Sequence, residues 1–527
     1  LTKDKLKKIF SRLPLIALTI ILLFLFDVTV FFGFFYLVRE LIITIFPQAK
    51  LTVLIVTAIV DWLIVLSTVL HVANRDMVPE AKIPWLICVL GLNLLGVAIY
   101  AVFSHNNLSR RQRRKLMGMY EQSYEHALPL YSKEEVRAQL GGWAGVSEAL
   151  STASRAAVLY GGTKTQYFPS GEAFAEQYMC DLETAEHFIF LEYFIVAKGK
   201  FLSAVLEVLE RKAKEGVEVR LLYDDIGSMA RVSVNFARQL KKRGIQCVKF
   251  NPFVPVVSEV HNNRDHRKIT VIDGKIGYTG GLNFADEYVN LTHPYGYWKD
   301  TAVRLEGVGV RSLTLMFLQL YNVRSKVIED FTPFLPKEYE FFEGEGFVQP
   351  YGDGPRPFYR RALGEDVYIN ILNGAKNYVY IATPYLIIDY RMREALVLAA
   401  QRGVDVRILM PGIPDKKLVF ALSRSNYLAL VRGGVKIYSY TGGFVHAKSF
   451  VSDDELAVVG TINLDYRSFL FHFEDAVLMY GAKAVMQLKQ DMEESFALSE
   501  QVTEEKAKKN AVSRGFYEII KIFAPLF

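Results

Sequence analysis

At 527 residues the chain is too long for a single ordinary core, so two or three domains are expected. Hydrophobic residues make up 51% and the mean hydropathy is +0.16, high for a wholly soluble protein, so part of the chain is expected in lipid. The net charge of +6 suits an anionic membrane or a phosphate-bearing substrate without choosing between them. Three scattered cysteines, Cys88, Cys180 and Cys247, exclude a disulfide framework, and the absence of a C-x-x-C pair argues against a zinc site.

Three apolar stretches fill the first fifth of the chain, at 13–38, 51–70 and 85–103. A hydrocarbon core of roughly 30 Å needs about 20 helical residues, so each is long enough to span, although Asp27 and Asp61 interrupt the first two. The first follows Lys3, Lys5, Lys7, Lys8 and Arg12, as a secretory signal would. It exceeds the usual signal core of about 7–15 residues and no small-x-small site follows, so it is expected to stay attached. Arg110, Arg111, Arg113, Arg114 and Lys115 follow the third stretch. Both basic clusters claim the cytoplasmic side, which an odd number of crossings cannot satisfy. Either one stretch is re-entrant or interfacial or one basic end violates the rule, the cleaner spans being those that flank Asn74 to Pro84; two crossings and a cytoplasmic catalytic part are expected, in a multi-pass protein of the cell membrane.

Beyond residue 116, short apolar runs rich in β-branched and aromatic residues alternate with amphipathic segments such as 201–214, the pattern of an α/β fold. This region contains itself twice. FIFLEYFI at 188–195 answers VYIATPYLI at 379–387, each reading as a buried strand, and GVEVRLL at 216–222 answers GVDVRIL at 403–409. A helix then ends at Gly244 in one copy and Gly434 in the other. Last, His266-x-Lys268-x4-Asp273-x6-Gly280-x2-Asn283 recurs with identical spacing as His446-x-Lys448-x4-Asp453-x6-Gly460-x2-Asn463. A bare H-x-K-x4-D arises in about one random chain in fifty, but with the Gly and Asn the expectation falls below about one in ten thousand, and duplication makes coincidence negligible. Predicted domains are therefore a membrane region at 1–115 and two repeats at 116–335 and 336–527.

On a strand, H-x-K sends imidazole and ammonium to one face, where they can share a ligand. Asp273 and Asp453 stand where each strand leaves for a turn, which suits a turn former and a charge held behind the reacting groups equally. Asn283 and Asn463 follow Gly-Gly and Gly-Thr, where small residues allow close approach and an amide can donate to a phosphoryl oxygen. Two such halves face to face would place a nucleophile on one side of a phosphodiester, an acid on the other and cations between.

These motifs resemble the phospholipase D superfamily, and the flanking segments LEYFI (191–195), RLLYDDIGS (220–228), WKDT (298–301), TPY (383–385), PGIPDKK (411–417), GFVHAKS (443–449) and GTINLDYRS (460–468) are similar to bacterial cardiolipin synthases. The resemblance implies a duplicated α/β/α sandwich with the site on its pseudo-twofold interface. It implies His266 as nucleophile, His446 as acid and then base, with the near-symmetry permitting the reverse. Lys268, Lys448, Asn283 and Asn463 would stabilise the transition state without a metal or other cofactor. Asp300 and Glu474 are expected to hold the second ring nitrogens, with Glu192 and Glu287 as weaker candidates. His71, His105, His261 and His472 have no repeat partner and read as structural or solvated. The implied reaction joins two phosphatidylglycerols into cardiolipin and glycerol at an anionic membrane, with no nucleic acid partner and a homo-oligomer left open. Rival readings are a phospholipase D with water or an ethanolamine lipid as acceptor, and a membrane-anchored nuclease, which the apolar amino-terminal region disfavours. Residues 516, 519, 520 and 523 have helical apolar spacing that suits either the bilayer or a core.

Overall fold

The computed structural model describes residues 33, 36–104, 110–252, 262–324, 329–508 and 511–526. Most of the apolar stretch 13–38, the basic run before it, His105 and His261 lie outside the described residues. The chain divides into two compact units, one comprising Leu1–Leu108, Phe253–His261 and Ile519–Phe527, the other Ser109–Pro252 and Asn262–Glu518.

In the first unit, Pro47–Asn74 is the one helix among the described residues long and apolar enough to cross a membrane; its 28 residues rise about 42 Å. The stretch 85–103 departs from the expectation of a continuous span. It forms two helices, Pro79–Leu92 and Leu94–Phe103, broken at Asn93, whose φ is +48°. Helices of 14 and 10 residues rise about 21 and 15 Å, short of a bilayer core. They fold back on one another, since a Cβ on Gly96 would lie 2.2 Å from the carbonyl oxygen of Cys88, whereas residues eight apart in a straight helix stand about 12 Å apart. Asn93 tolerates the turn, and Gly96 lets the two backbones touch. The result is a helical hairpin.

The second unit holds both repeats. In the first, the strands are β1 (Lys164–Phe168), β2 (Phe188–Tyr193), β3 (Glu218–Asp224), β4 (Gln246–Phe250), β5 (Lys268–Ile272), β6 (Ile276–Gly280) and β7 (Ala302–Glu306). In the second they are β8 (Phe347–Asp353), β9 (Tyr378–Ala382), β10 (Asp405–Pro411), β11 (Lys436–Tyr440), β12 (Ser449–Ser452), β13 (Leu456–Gly460) and β14 (Glu474–Tyr480). The sheet orders are β1-β7-β6-β5-β2-β3-β4 and β8-β14-β13-β12-β9-β10-β11, the same topology twice. Short strands Tyr160–Gly161 and Ser499–Gln501 extend the edges of the second sheet. In each sheet three strands run parallel (β2-β3-β4 and β9-β10-β11), linked through helices such as Lys200–Lys214 and Tyr390–Gln401, and the rest pair antiparallel. Burial on both faces explains why these strands read as continuous apolar runs: every residue of β2, β5, β9, β12 and β13 is buried.

The ladders fix the repeat's register. Ile189 pairs with Ile272 and Val379 with Ser452, each partner standing immediately before a motif aspartate. Residues 188–195 therefore correspond to 378–385, one position earlier than the sequence match suggested. Apolar composition aligns runs only loosely, whereas backbone hydrogen bonding admits one register.

Candidate active site

Each motif histidine stands just before a central strand, β5 or β12, and each is tied to the opposite repeat. The N–H of His266 donates to the carbonyl of Phe473 at 2.8 Å, and that of His446 to Lys299 at 2.7 Å. Around these bonds Gly443–Val445 pairs in parallel with Tyr297–Lys299, and Asp265 bridges Phe473. The two repeats thus exchange segments at the site.

The orienting carboxylates cross over in the same way. His266 Nδ1 lies 2.8 Å from Glu474 Oε2, and His446 Nδ1 lies 2.7 Å from Asp300 Oδ2. A carboxylate only accepts, so each ring holds its proton on Nδ1 and keeps a lone pair on Nε2 for chemistry. Both acids are wholly buried. The Thr461 hydroxyl also donates to Glu474. In the first repeat Gly281 takes the place of Thr461 for steric cause: a Cβ there would lie 1.9 Å from Asp300 Oδ1.

Lys268 and Lys448 point to the same side as their histidines and donate to the carbonyls of His266 and His446. Burial pushes Lys268 down to about 8 and Lys448 to about 7. Burial, reinforced by Lys448, lowers His446 to about 4, and burial holds His266 well below the ordinary histidine range. Burial alone would raise Glu474 and Asp300, but His266 and His446 outweigh it and keep both ionised. The two motifs share one electrostatic environment. The charge of Lys268 opposes protonation of both His446 and Lys448, and the carboxylate of Asp300 acts on Lys268. Two neutral imidazoles with free Nε2 lone pairs, two ammonium groups and two buried carboxylates can bind an anionic phosphodiester and move a proton on either side of it.

Both motif asparagines are buried. Asn283 Oδ1 accepts from the Ile195 N–H at 2.9 Å, leaving its buried Nδ2 without a protein partner, and Asn463 Oδ1 is likewise unpartnered. Asp273 and Asp453 stand elsewhere. They follow the far ends of β5 and β12, five residues or about 16 Å of extended chain beyond each motif lysine. Asp273 accepts from the N–H groups of Glu186, His187 and Phe188 at 2.7–2.8 Å, and Asp453 from Lys376, Asn377 and Tyr378 at 2.7–2.9 Å. Glu192 is buried beside Asp265 and Arg267, where burial and the Asp265 charge raise it well above the carboxylate range. Glu287 pairs with Arg231 at 2.5 Å. His71 lies in the other unit against Tyr100.

Residues passed over by the motif reading also line the site. The rings of Tyr288 and Trp298 stand 5.2 and 5.4 Å from that of His446, and Phe194 stands 5.0 Å from that of His266. His472, read as structural or solvated, is buried with its ring 5.3 Å from His266 and its Nδ1 3.5 Å from Glu474 Oε1. It precedes Glu474 by two residues, as Trp298 precedes Asp300, and that shared offset was the available signal.

A domain described as the phospholipase D-like domain of cardiolipin synthase matches the chain twice, over residues 179–297 and 368–496. The chain is 43% identical over 468 residues to an uncharacterised protein of Streptococcus mutans serotype c, covering 88% of this chain and all of that one. It is 36% identical over 447 residues to a cardiolipin synthase of Geobacillus kaustophilus, covering 82% of this chain and 86% of that one, and 33% identical over 430 residues to a cardiolipin synthase of Alkalihalophilus pseudofirmus, covering 81% and 84%. In fold it is similar to the phosphatidylserine synthase of Haemophilus influenzae, with a TM-score of 0.54 at 13% identity over 73% of this chain and 97% of that one.

Proposed function

Since this chain belongs to the phospholipase D-like cardiolipin synthases, we propose that it transfers a phosphatidyl group from one phosphatidylglycerol to the free hydroxyl of another, releasing glycerol and forming cardiolipin. The observation that carries this reading is the crossed pair of imidazoles, each neutral, each oriented by a buried carboxylate of the other repeat, with Lys268 acting electrostatically on both motifs.

In the first half-reaction His446 takes up a proton on Nε2 as the anionic phosphodiester binds beside it, the Nε2 lone pair of His266 attacks phosphorus, and His446 gives that proton to the departing glycerol oxygen. The P–O bond breaks as the P–N bond forms, leaving a phosphatidyl-histidine and a neutral His446. The incoming hydroxyl then loses its proton to His446 and displaces His266. One phosphodiester replaces another, so no nucleotide enters. Lys268, Lys448 and the amides of Asn283 and Asn463 face the equatorial oxygens, whose charge grows at the transition state. Asp273 and Asp453 act through the backbone rather than on substrate. The division this reading needs is a membrane region to about residue 115 and two phospholipase D-like domains meeting near residue 335. Helix Pro47–Asn74 crosses the bilayer and the hairpin of Pro79–Leu92 and Leu94–Phe103 re-enters it, in a membrane region of two crossings with a cytoplasmic catalytic part.

Purified protein in vesicles containing labelled phosphatidylglycerol, without nucleotide, is expected to yield cardiolipin and free glycerol. Phosphatidic acid as the sole product would replace a transferase by a hydrolase. His266→Asn and His446→Asn should each abolish turnover while leaving the protein folded.

A further inference from the structure

The duplicated site departs from its symmetry at one pair of side chains. Trp298 and His472 hold equivalent places, two residues before Asp300 and Glu474. The indole Nε1 of Trp298 leans on Asp300 Oδ2 at 3.4 Å. His472 holds the matching place against Glu474, but at 3.5 Å its contact is too long for a good hydrogen bond. It is 6% exposed, and neither ring nitrogen has a hydrogen-bond partner. A buried imidazole with two unsatisfied nitrogens is costly for a fold to keep unless something binds it.

One ligand atom from each of His266, His472 and Glu474 can be chosen so that all three lie within 4.8 Å of one another, and all three residues are buried. We propose that these residues form an inhibitory site for a borderline divalent transition ion, Zn2+ or Ni2+, which captures the imidazole of His266. Two imidazole nitrogens and one carboxylate oxygen are the donor set of such ions, whereas Mg2+ and Ca2+ prefer oxygen. Bonds of about 2.0–2.2 Å place neighbouring donors roughly 3.0–3.6 Å apart, so the rings must close by about 1 Å. That adjustment and the nearby ammonium of Lys268 weaken the site. The other half offers no equivalent, because an indole cannot ligate. An ion seated here binds Nδ1, the nitrogen that faces Glu474, and shifts the ring's remaining proton to Nε2, so the lone pair that would attack phosphorus is lost and binding and turnover exclude one another. The inhibitory consequence rests on the catalytic role proposed for His266; the binding site itself does not.

The test uses the full chain in detergent micelles and the chloride salts of Zn2+, Ni2+ and Mg2+. Equilibrium dialysis is expected to show one Zn2+ per chain bound in the micromolar range, Ni2+ competing for it and no Mg2+ bound. Transfer activity should fall over the same Zn2+ range and return with EDTA. His472→Phe, which copies the aromatic character of the other half, should weaken Zn2+ binding at least tenfold and shift half-inhibition equally, measured against the variant's own uninhibited rate. If His472→Phe fails to fold, His472→Asn serves the same purpose. Zn2+ bound as tightly by either folded variant as by the wild type, or not bound by the wild type, overturns the proposal. Dialysis needs no substrate. His472-dependent binding by a protein that makes no cardiolipin would therefore sink the transferase reading alone, and turnover without such binding would sink only the metal site.

Discussion

Replacing Asp273 tests whether every member of a shared motif takes part in the chemistry. Its carboxylate receives three backbone N–H groups at the start of β2, at 2.8, 2.8 and 2.7 Å, and the donor at Phe188 is buried. Hydrogen bonds to a charged group contribute about 1.5–3 kcal/mol each, and three on one acceptor add less than fully, so Asp273→Ala is expected to cost about 3–5 kcal/mol. The residue also sits at φ +53°, which alanine tolerates poorly and asparagine well, so Asp273→Asn isolates the lost charge and should cost about half as much. In a unit of this size the alanine variant should lower the melting temperature by about 4–6 °C. Asp453→Ala should cost less, because the amides of Lys376 and Asn377 are exposed and water can replace the carboxylate. The measurement pairs thermal melting in detergent with kcat per folded molecule for cardiolipin formation. Melting should drop in the order Asp273→Ala, Asp273→Asn, Asp453→Ala, with kcat within about threefold of wild type. A hundredfold loss of kcat in a variant that melts normally would refute the assignment and return these aspartates to the reacting centre.

Glu474→Gln should reduce kcat at least about a hundredfold with little change in KM, because the ring of His266 loses the charge that stabilises it as a cation, and an amide NH2 turned towards Nδ1 favours the wrong tautomer; Asp300→Asn should do the same through His446. Steady-state kinetics on melt-matched variants checks this, and a milder effect than that of Asp273→Asn would contradict it. Gly281→Ala should abolish activity by forcing a methyl group to within 1.9 Å of Asp300 Oδ1, whereas Gly142→Ala, where a Cβ meets nothing within 4 Å, should be silent. His446 titrates at about 4 when folded against about 6.5 when unfolded, so between those values the unfolded chain binds more protons and stability rises with pH. Melting temperature should therefore fall on acidification from pH 6.5 towards 4, and His446→Asn should flatten the slope. On the alkaline side kcat/KM should decline as Lys448 and Lys268 lose their protons, from about pH 7 to 8.

What the sequence revealed followed from what a local pattern can carry. The spacing from His266 to Asn283 recurs at His446 because both runs are a strand, a turn and a strand, and local geometry fixes such intervals. The crossing of the acids was not legible. Asp300 follows Asn283 by 17 residues and Glu474 follows Asn463 by 11, so no repeat signal joins them, and which ring each serves depends on segments that meet only after folding. His472 was set aside for lack of a repeat partner; its counterpart is Trp298, a different chemical type in the same place. The hairpin at 79–103 escaped for another reason. Apolar composition counts residues that lipid tolerates, and it is blind to one asparagine at positive φ and one glycine that lets two backbones touch.

The two repeats reproduce each other's chemistry on different supports, and register shows where they part. Glu192, Asp265 and Arg267 of the first repeat correspond to Ala382, Val445 and Ala447 of the second. The Arg267 guanidinium, fully buried, donates from Nε to the backbone carbonyl of Glu474 at 3.2 Å and from Nη1 to that of Met316 at 3.1 Å. It therefore pins the strand whose carboxylate orients His266. In the second repeat small apolar side chains fill that space, and the bracing charge moves to the strand carrying Asp300, where the Lys299 ammonium donates to Asp491 and to the carbonyl of Pro169. Lys299 corresponds in turn to Phe473, so each half anchors its orienting strand with one buried cation placed differently. A duplicated fold constrains the groups that meet the phosphate, because both must reach the same atom. It leaves free the groups behind them, which need only hold a strand still, and the two histidines thereby acquire unequal surroundings while keeping equal geometry.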